Sequence, residues 1–137
     1  MSNLDDFING YKTALLWAGL DWAPCVNNPD ANPDPLDLHY STDDLSPDAL
    51  VAITRDCTAF VTDNADTLAL YAELIDFNPS EFAAYDLAGH DFLLTRNGHG
   101  AGFWDRGLPS AIADPLTDAA AAYGETDEYA DGGLIYL

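Results

Sequence analysis

The sequence predicts a mainly helical α+β domain of about four helices with a small β-hairpin at its C-terminal end. Apolar residues recur at three- and four-residue steps in several segments, which indicates helices with one buried face. Proline and glycine separate these segments, and apolar residues lie on both sides of a glycine pair near the C-terminal end. With 137 residues, 48% of them hydrophobic, the chain is long enough for one cored domain. No repeat or boundary divides residues 1–137, so we expect a single domain.

The first helix is predicted to begin after Ser2 or Asn3 and to run to about Leu20. It contains Gly10, a weak helix former, without losing its apolar face. The residues of that face are Leu4, Phe7, Ile8, Tyr11, Leu15 and Leu16. Residues 21–46 are then expected to be irregular, because prolines, asparagines and aspartates interrupt regular hydrogen bonding.

The second and third helices are predicted between residues 46 and 98. The Ser-Pro-Asp sequence at 46–48 supplies a capping hydroxyl, a proline for the first turn and an acid near the positive end of the helix. An apolar face continues through residue 76 and indicates one helix, either unbroken or broken near Asn64. The Asn-Pro pair at 78–79 ends this helix, Ser80 caps the next, and Gly98 stops it.

The fourth helix is predicted to begin at Pro109 or Ser110 and to end at Gly124. The hairpin follows, with residues 127–130 paired to residues 134–137 across an Asp-Gly-Gly turn.

The charge of the chain is its most unusual property. Twenty-four acidic residues face four basic ones, which gives a formal net charge of −20. A net charge of a few units already provides solubility, and self-repulsion opposes folding, so we expect this surplus to serve binding. The acids predicted to form the partner-binding surface are Asp48, Asp56, Asp63, Asp66, Glu73, Asp76, Glu125, Asp127 and Glu128.

Residues 89–107 form the most distinctive segment, with two of the four basic residues, two of the three histidines and five glycines. The segment resembles a GHDF-x-x-TRNGHGAGFWDRG stretch found in a widespread group of small phage and prophage proteins of unassigned function. The resemblance extends over residues 45–137 and includes an ending in Ile-Tyr-Leu. It implies a viral origin and action inside a host cell, and it brings no activity and no catalytic residues.

Two interpretations of this glycine-rich segment follow from its residues. In the first, Arg96, His99 and Arg106 hold an anion, which backbone N–H groups of the glycines approach. In the second, which we favour, the segment is structural. The arginines then pair with Asp91 or Asp105, and Phe103 and Trp104 fill the core. The spacing matches neither a phosphate-binding P-loop nor a dinucleotide-binding motif.

We expect neither a metal site nor a cofactor. Residues 30–34 imitate the opening of a calcium loop, but Pro35 and Ser41 occupy the positions where the loop needs glycine and glutamate. Cys25 and Cys57 belong to no paired motif and are predicted to be free thiols.

These observations favour a non-enzymatic acidic protein that mimics nucleic acid and occupies the DNA- or RNA-binding surface of a basic protein. We expect it to bind no nucleic acid directly. We also expect no membrane association, since no run of about 20 apolar residues is present. Its N-terminal residues lack the basic region of a signal peptide, which favours the cytoplasm. One alternative is an accessory or structural protein whose acidity reflects a salt-rich host. A second is a small enzyme that uses the 89–107 segment, with His90 or His99 as acid or base.

Overall fold

The computed structural model describes residues 2–77 and 83–137, and it confirms a mainly helical α+β fold. One more helix is present than expected, because the long second helix divides in two. The helices are α1 (Asn3–Ala18), α2 (Pro47–Asp63), α3 (Ala65–Phe77), α4 (Ala84–Arg96) and α5 (Ser110–Ala121). The strands are β1 (Leu20–Asp21), β2 (Asp34–Pro35), β3 (Tyr129–Asp131) and β4 (Leu134–Tyr136).

Helix α1 begins at a capping box and packs mainly against α4. The Ser2 hydroxyl accepts a hydrogen bond from the backbone N–H of Asp5, whose carboxylate accepts one from the Ser2 backbone N–H. At the crossing of α1 and α4 the two backbones touch. A methyl group on Gly10 would overlap the carbonyl oxygen of Asp86, and one on Gly89 would overlap that of Phe7. Gly10, although a weak helix former, therefore allows the backbones of α1 and α4 to pack closely.

The segment expected to be irregular contains a two-residue ladder. Strands β1 and β2 are antiparallel, with Leu20 opposite Pro35, and single turns of 3₁₀ helix cover residues 23–25, 36–38 and 42–44. Leu36 and Leu45 are buried and attach the segment to the core. The sequence does not predict this ladder, because prolines normally oppose strand pairing and only an edge position accommodates Pro35.

Of the two alternatives for residues 47–76, the structure has the helix broken at Asn64. Helix α2 starts behind Ser46, whose hydroxyl accepts a hydrogen bond from Ala49, and it ends at Asp63. The Asn64 side chain also donates to the Phe60 carbonyl at 2.9 Å, and the same carbonyl accepts the helical hydrogen bond from the Asn64 backbone N–H at 3.0 Å. The predicted stop at 78–79 and the predicted cap Ser80 lie outside the described residues.

The next helix, α4, ends as predicted. Gly98 has a φ of +64°, a conformation that glycine adopts readily, and the chain turns away there. Helix α5 follows Pro109 and is succeeded by Gly124 at φ +74°.

Phenylalanines from four parts of the chain form the centre of the core. Phe60 of α2 and Phe92 of α4 are stacked with their ring centroids 4.2 Å apart, and both Phe7 and Phe103 stack on Phe60. All four rings are fully buried. The predicted C-terminal hairpin is also present, with Gly132 and Gly133 at positive φ in its turn. Its buried Ile135 accepts a hydrogen bond from the Ser46 backbone, which joins the hairpin to the start of α2.

No helix within residues 2–77 and 83–137 is both long and apolar enough to span a lipid bilayer.

Candidate functional site

The Arg96 guanidinium lies beneath the segment that follows α5, and its side chain is only 8% exposed. The arginine donates through Nε to the Gly124 carbonyl at 2.8 Å and through Nη2 to the Tyr123 carbonyl at 3.2 Å. Nη1 donates to the Tyr11 hydroxyl at 3.1 Å and to the Asp56 carboxylate at 3.0 Å. Every nitrogen of the guanidinium is therefore engaged inside the protein.

Aromatic rings complete the environment of Arg96. Its guanidinium carbon lies 5.7 Å from the Phe92 centroid and 5.4 Å from the Tyr123 centroid, within the range of cation–π attraction. Burial raises the pKa of the Tyr11 hydroxyl, while the adjacent arginine opposes that rise. Arg96 is thus a buried cation whose Nε, Nη1 and Nη2 atoms all donate to groups of the protein itself.

Arg106 is likewise engaged by a buried carboxylate. It donates to Asp91 from Nη2 at 2.7 Å and from Nε at 3.1 Å, and the Tyr71 hydroxyl donates to the same carboxylate at 2.9 Å. Burial raises the pKa of Asp91, although the hydrogen bonds from Arg106 and Tyr71 oppose the rise. Arg106 therefore pairs as the structural interpretation predicts, whereas Arg96 pairs with Asp56 instead of Asp91 or Asp105.

The two aromatic residues of the same segment behave differently. Phe103 is fully buried in the core, as expected, but Trp104 is 52% exposed and does not fill it. The backbone N–H of Phe103 donates to the Thr95 hydroxyl of α4, which ties the glycine-rich segment to that helix.

Residues 123–128, here named the acidic strap, cross the surface above Arg96. Arg96 holds the first two carbonyls, and Asn97 holds Thr126 by two hydrogen bonds. The backbone N–H of Thr126 donates to Asn97 Oδ1 at 2.7 Å, and Asn97 Nδ2 donates to the Thr126 hydroxyl at 2.9 Å. That hydroxyl lies 2.6 Å from a carboxylate oxygen of Glu128. Side chains at the end of α4 therefore hold the strap at Tyr123, Gly124 and Thr126.

The strap presents three of the predicted acidic residues. Glu125 and Asp127 are exposed and Glu128 is half-buried. Among the described residues, none of these three carboxylates lies within ion-pair distance of a lysine or an arginine. The strap is thus a fixed array of negative charge without an internal counter-ion.

A surface cleft lies on each side of the acidic strap. The strap–α2 cleft, of about 240 Å³, lies between the strap and α2 and is lined in part by Ala52, Arg55 and Asp127. The strap–α1 cleft, of about 250 Å³, lies between the strap and the end of α1. Its lining residues are Ala18, Asn97, His99, Glu125, Thr126 and Glu128. The predicted His99 is therefore beside the strap, and its ring packs on that of Trp17 at 5.6 Å.

The acids predicted along the second helix do not form one continuous ridge. Asp48, Asp66 and Glu73 are exposed, but the outer face of α2 also carries Val51 and Arg55. Asp63 lies close enough to Tyr123 for its charge, after burial, to raise the pKa of that tyrosine. The side chain of Asp76 lies outside the described residues.

Asp56 departs from the prediction, because it is half-buried and not a free surface charge. Its two carboxylate oxygens bind Arg96 at 3.0 Å and Arg55 at 3.2 Å. The sequence placed Asp56 among the acids of the partner-binding surface, because it does not show that the fold brings a buried arginine to this carboxylate. Asp56 is therefore committed to internal ion pairs, unlike the acids of the strap.

Metal-binding groups are not assembled in the part of the chain that the structure describes. There, no three His, Cys, Asp or Glu side chains are arranged to hold an ion. Both cysteines are free thiols, Cys57 fully buried in the core and Cys25 half-buried. Burial raises the pKa of Cys57.

The chain matches no protein-family model, no curated protein sequence and no solved structure. The resemblance to small phage proteins therefore stays a prediction.

Proposed function

We propose that this protein binds a basic, nucleic-acid-binding protein and occupies the surface that normally contacts DNA or RNA, with the acidic strap as its main contact. The supporting observation is that two arginines are paired inside the protein while the carboxylates of the strap have no cationic partner among the described residues. Arg96 and Arg106 form internal ion pairs with Asp56 and Asp91, while no lysine or arginine in the described part of the chain pairs with Glu125, Asp127 or Glu128. These carboxylates therefore give the strap a negative charge that no neighbouring cation in that part of the chain neutralises.

A nucleic-acid-binding partner suits this surface for electrostatic reasons. Duplex DNA presents about one negative charge per 1.7 Å of its axis, and contacts to phosphates supply much of the affinity of its binding proteins. Carboxylates on a rigid scaffold offer the same sign of charge to the same lysines and arginines. Docking would also relieve the mutual repulsion of the unpaired acids.

The partner class we propose is a host protein of defence or repair, such as a restriction enzyme, a CRISPR effector or a repair glycosylase. This follows from the resemblance to phage proteins, which implies action in the cytoplasm of an infected cell. The enzyme alternative loses support, because the arginines that would hold an anionic substrate are engaged by Asp56 and Asp91.

The experiment is a displacement assay on a panel of purified DNA-binding proteins, each carrying labelled duplex DNA. Basic proteins of similar charge that do not bind nucleic acid serve as the matched panel. We expect the protein to displace DNA from a member of the first panel, to bind the second panel weakly, and to lose affinity steeply between roughly 50 and 500 mM salt.

Two results would contradict the proposal. One is an affinity that stays constant over this salt range. The other is equal binding to both panels. That result would mean that the protein attracts any basic protein through its net charge, as expected if the acidity is an adaptation to a salt-rich host. The charges of neighbouring proteins in the same genome provide an independent check on that alternative.

A further inference from the structure

Asparagine followed by glycine occurs twice in the chain, as Asn9–Gly10 and as Asn97–Gly98. Asparagine is among the thermolabile residues of proteins, because the backbone nitrogen of the next residue can attack its side-chain amide. Glycine has no side chain to hinder that attack. Both dipeptides are therefore chemically suited to spontaneous deamidation, and their surroundings decide which of them reacts.

The first dipeptide is protected by its helix. Gly10 is in the interior of α1, where backbone N–H groups are bound by the preceding turn, and it is buried against the Asp86 carbonyl of α4. Attack by its nitrogen on Asn9 would require α1 to unwind and to separate from α4.

The second dipeptide lies where a helix ends. Asn97 follows the last residue of α4, and Gly98 occupies an exposed turn at φ +64°. Within the described residues, no atom lies within 4 Å of the position that a Cβ on Gly98 would take. The Gly98 N–H donates to the Thr95 carbonyl at 3.1 Å, a contact within a single turn. The backbone here can rearrange without unpacking a helix.

We propose that Asn97 is a site of self-modification, whose conversion to aspartate or isoaspartate loosens the acidic strap. The Gly98 nitrogen attacks Asn97 Cγ, and the new N–C bond closes a succinimide. Nδ2 leaves as ammonia with the proton of the Gly98 N–H. Water then adds to one of the two imide carbonyls and breaks its bond to the nitrogen. Nothing is oxidised or reduced, and water is the only co-reactant.

The hydrogen bonds of Asn97 link this reaction to the strap. Nδ2, the leaving group, donates to the Thr126 hydroxyl at 2.9 Å, and Oδ1 accepts from the Thr126 backbone N–H at 2.7 Å. The bond from Nδ2 has to break before ammonia can leave. The attached strap therefore slows the reaction.

The product no longer fits the strap. A carboxylate at position 97 donates no hydrogen bond, so the Thr126 hydroxyl has one proton for this carboxylate and for Glu128, whose oxygen lies 2.6 Å away. Two carboxylates around one hydroxyl repel each other. Isoaspartate also lengthens the backbone by a methylene group. We expect residues 126–128 to loosen, while the part of the strap bound by Arg96 stays attached.

Peptide mapping tests the reaction. Trypsin, which cleaves after lysine and arginine, places Asn9 in the peptide 1–12 and Asn97 in the peptide 97–106. The folded protein is incubated at mildly alkaline pH, and mass spectrometry follows the change of each amide to a carboxylate. We expect Asn97 to convert at least about fivefold faster, because Asn9 reacts only when helical hydrogen bonds break, each worth about that factor. Conversion of Asn97 no faster than that of Asn9 would overturn the proposal.

Thr126→Val tests the protection by the strap. The substitution removes the hydroxyl that holds Nδ2, so Asn97 should convert about fivefold faster, the effect of one hydrogen bond of typical strength. Thr58→Val, at an exposed position of α2, is the matched control and should leave the rate unchanged. The rate at Asn9 monitors folding in each variant, since unfolding would accelerate both sites. An unchanged rate at Asn97 in Thr126→Val would contradict the protective role of the strap.

Asn97→Asp tests the loosening of the strap, because it reproduces one of the two products. Amide hydrogen exchange over residues 123–128 should be about fivefold faster than in the unmodified protein. Asn9→Asp adds the same charge to α1 and should leave this exchange unchanged. Equal exchange in Asn97→Asp and the unmodified protein would overturn the loosening. None of these measurements involves a partner, so their outcome is independent of the proposed function.

Discussion

At the scale of the residue, the fold depends on Arg96, the one buried residue among the four basic ones. Arg96 joins α4 to α1, α2 and the acidic strap through Tyr11, Asp56 and two backbone carbonyls. A buried arginine that lost these partners would be costly, and so would the partners without the arginine. The same contacts that neutralise Arg96 fix the backbone on which the free carboxylates lie.

Replacement of Arg96 tests this structural role. We expect Arg96→Ala to lower the free energy of unfolding by about 3–5 kcal/mol, because it leaves Asp56 and two carbonyls without their main partner. Urea denaturation measures the loss. Arg55→Ala is the control: its side chain is 70% exposed, and we expect a change within about 0.5 kcal/mol. A stable Arg96→Ala protein that had lost binding would instead favour an anion site at Arg96.

At the scale of the element, the contact between α1 and α4 organises the fold. Gly10 and Gly89 let the two backbones meet, and the rings of Phe7 and Phe92 then lie in contact, tilted, with their centroids 5.8 Å apart. Glycine weakens an isolated helix by about 1 kcal/mol relative to alanine. Here packing reverses that preference, because a methyl group at either position has no space.

Alanine substitution separates packing from helix propensity. We expect Gly10→Ala and Gly89→Ala each to destabilise the protein by about 1–3 kcal/mol, the usual cost of overpacking, although alanine is the better helix former. Thermal unfolding followed by circular dichroism measures the change. Gly100→Ala is the control, because no atom lies within 4 Å of the added methyl group. Stabilisation by Gly10→Ala would contradict the close approach of the helices.

Helices and caps are also the level at which the sequence was most informative. The start of α2 behind Ser46, the break at Asn64 and the stop at Gly98 all depend on local chemistry that the sequence displays. The acidic strap depends instead on Asn97 reaching Thr126, 29 positions along the chain. No local pattern signals that contact, so Asn97 and Thr126 were not predicted as parts of the site.

At the scale of the whole molecule, the net charge of −20 opposes folding and favours association with cations. Internal pairing leaves few positive charges at the surface to offset it. The aromatic core must therefore hold the fold against repulsion among the exposed carboxylates, and salt should reduce that repulsion.

Thermal stability should accordingly rise with ionic strength. Between 0.01 M and 1 M sodium chloride the screening length falls from about 30 Å to about 3 Å. We expect the melting temperature to rise by at least about 4 °C, which corresponds to roughly 1 kcal/mol in a domain of this size. A variant with Asp30→Asn, Asp37→Asn and Asp43→Asn, all at exposed positions, should gain less. An unchanged melting temperature would show that repulsion is negligible.

The most direct test of the acidic strap as the binding surface compares two triple variants with equal loss of charge. One carries Glu125→Gln, Asp127→Asn and Glu128→Gln in the strap, and the other carries the substitutions at Asp30, Asp37 and Asp43. The measurement is the affinity for a DNA-binding partner from the displacement assay, at a salt concentration near 0.1 M. We predict that the strap variant binds at least about tenfold more weakly, the effect of losing roughly 1.4 kcal/mol, while the control stays within about twofold of the unmodified protein. Equal weakening of both variants would contradict the account, because it would mean that the partner senses only the total charge.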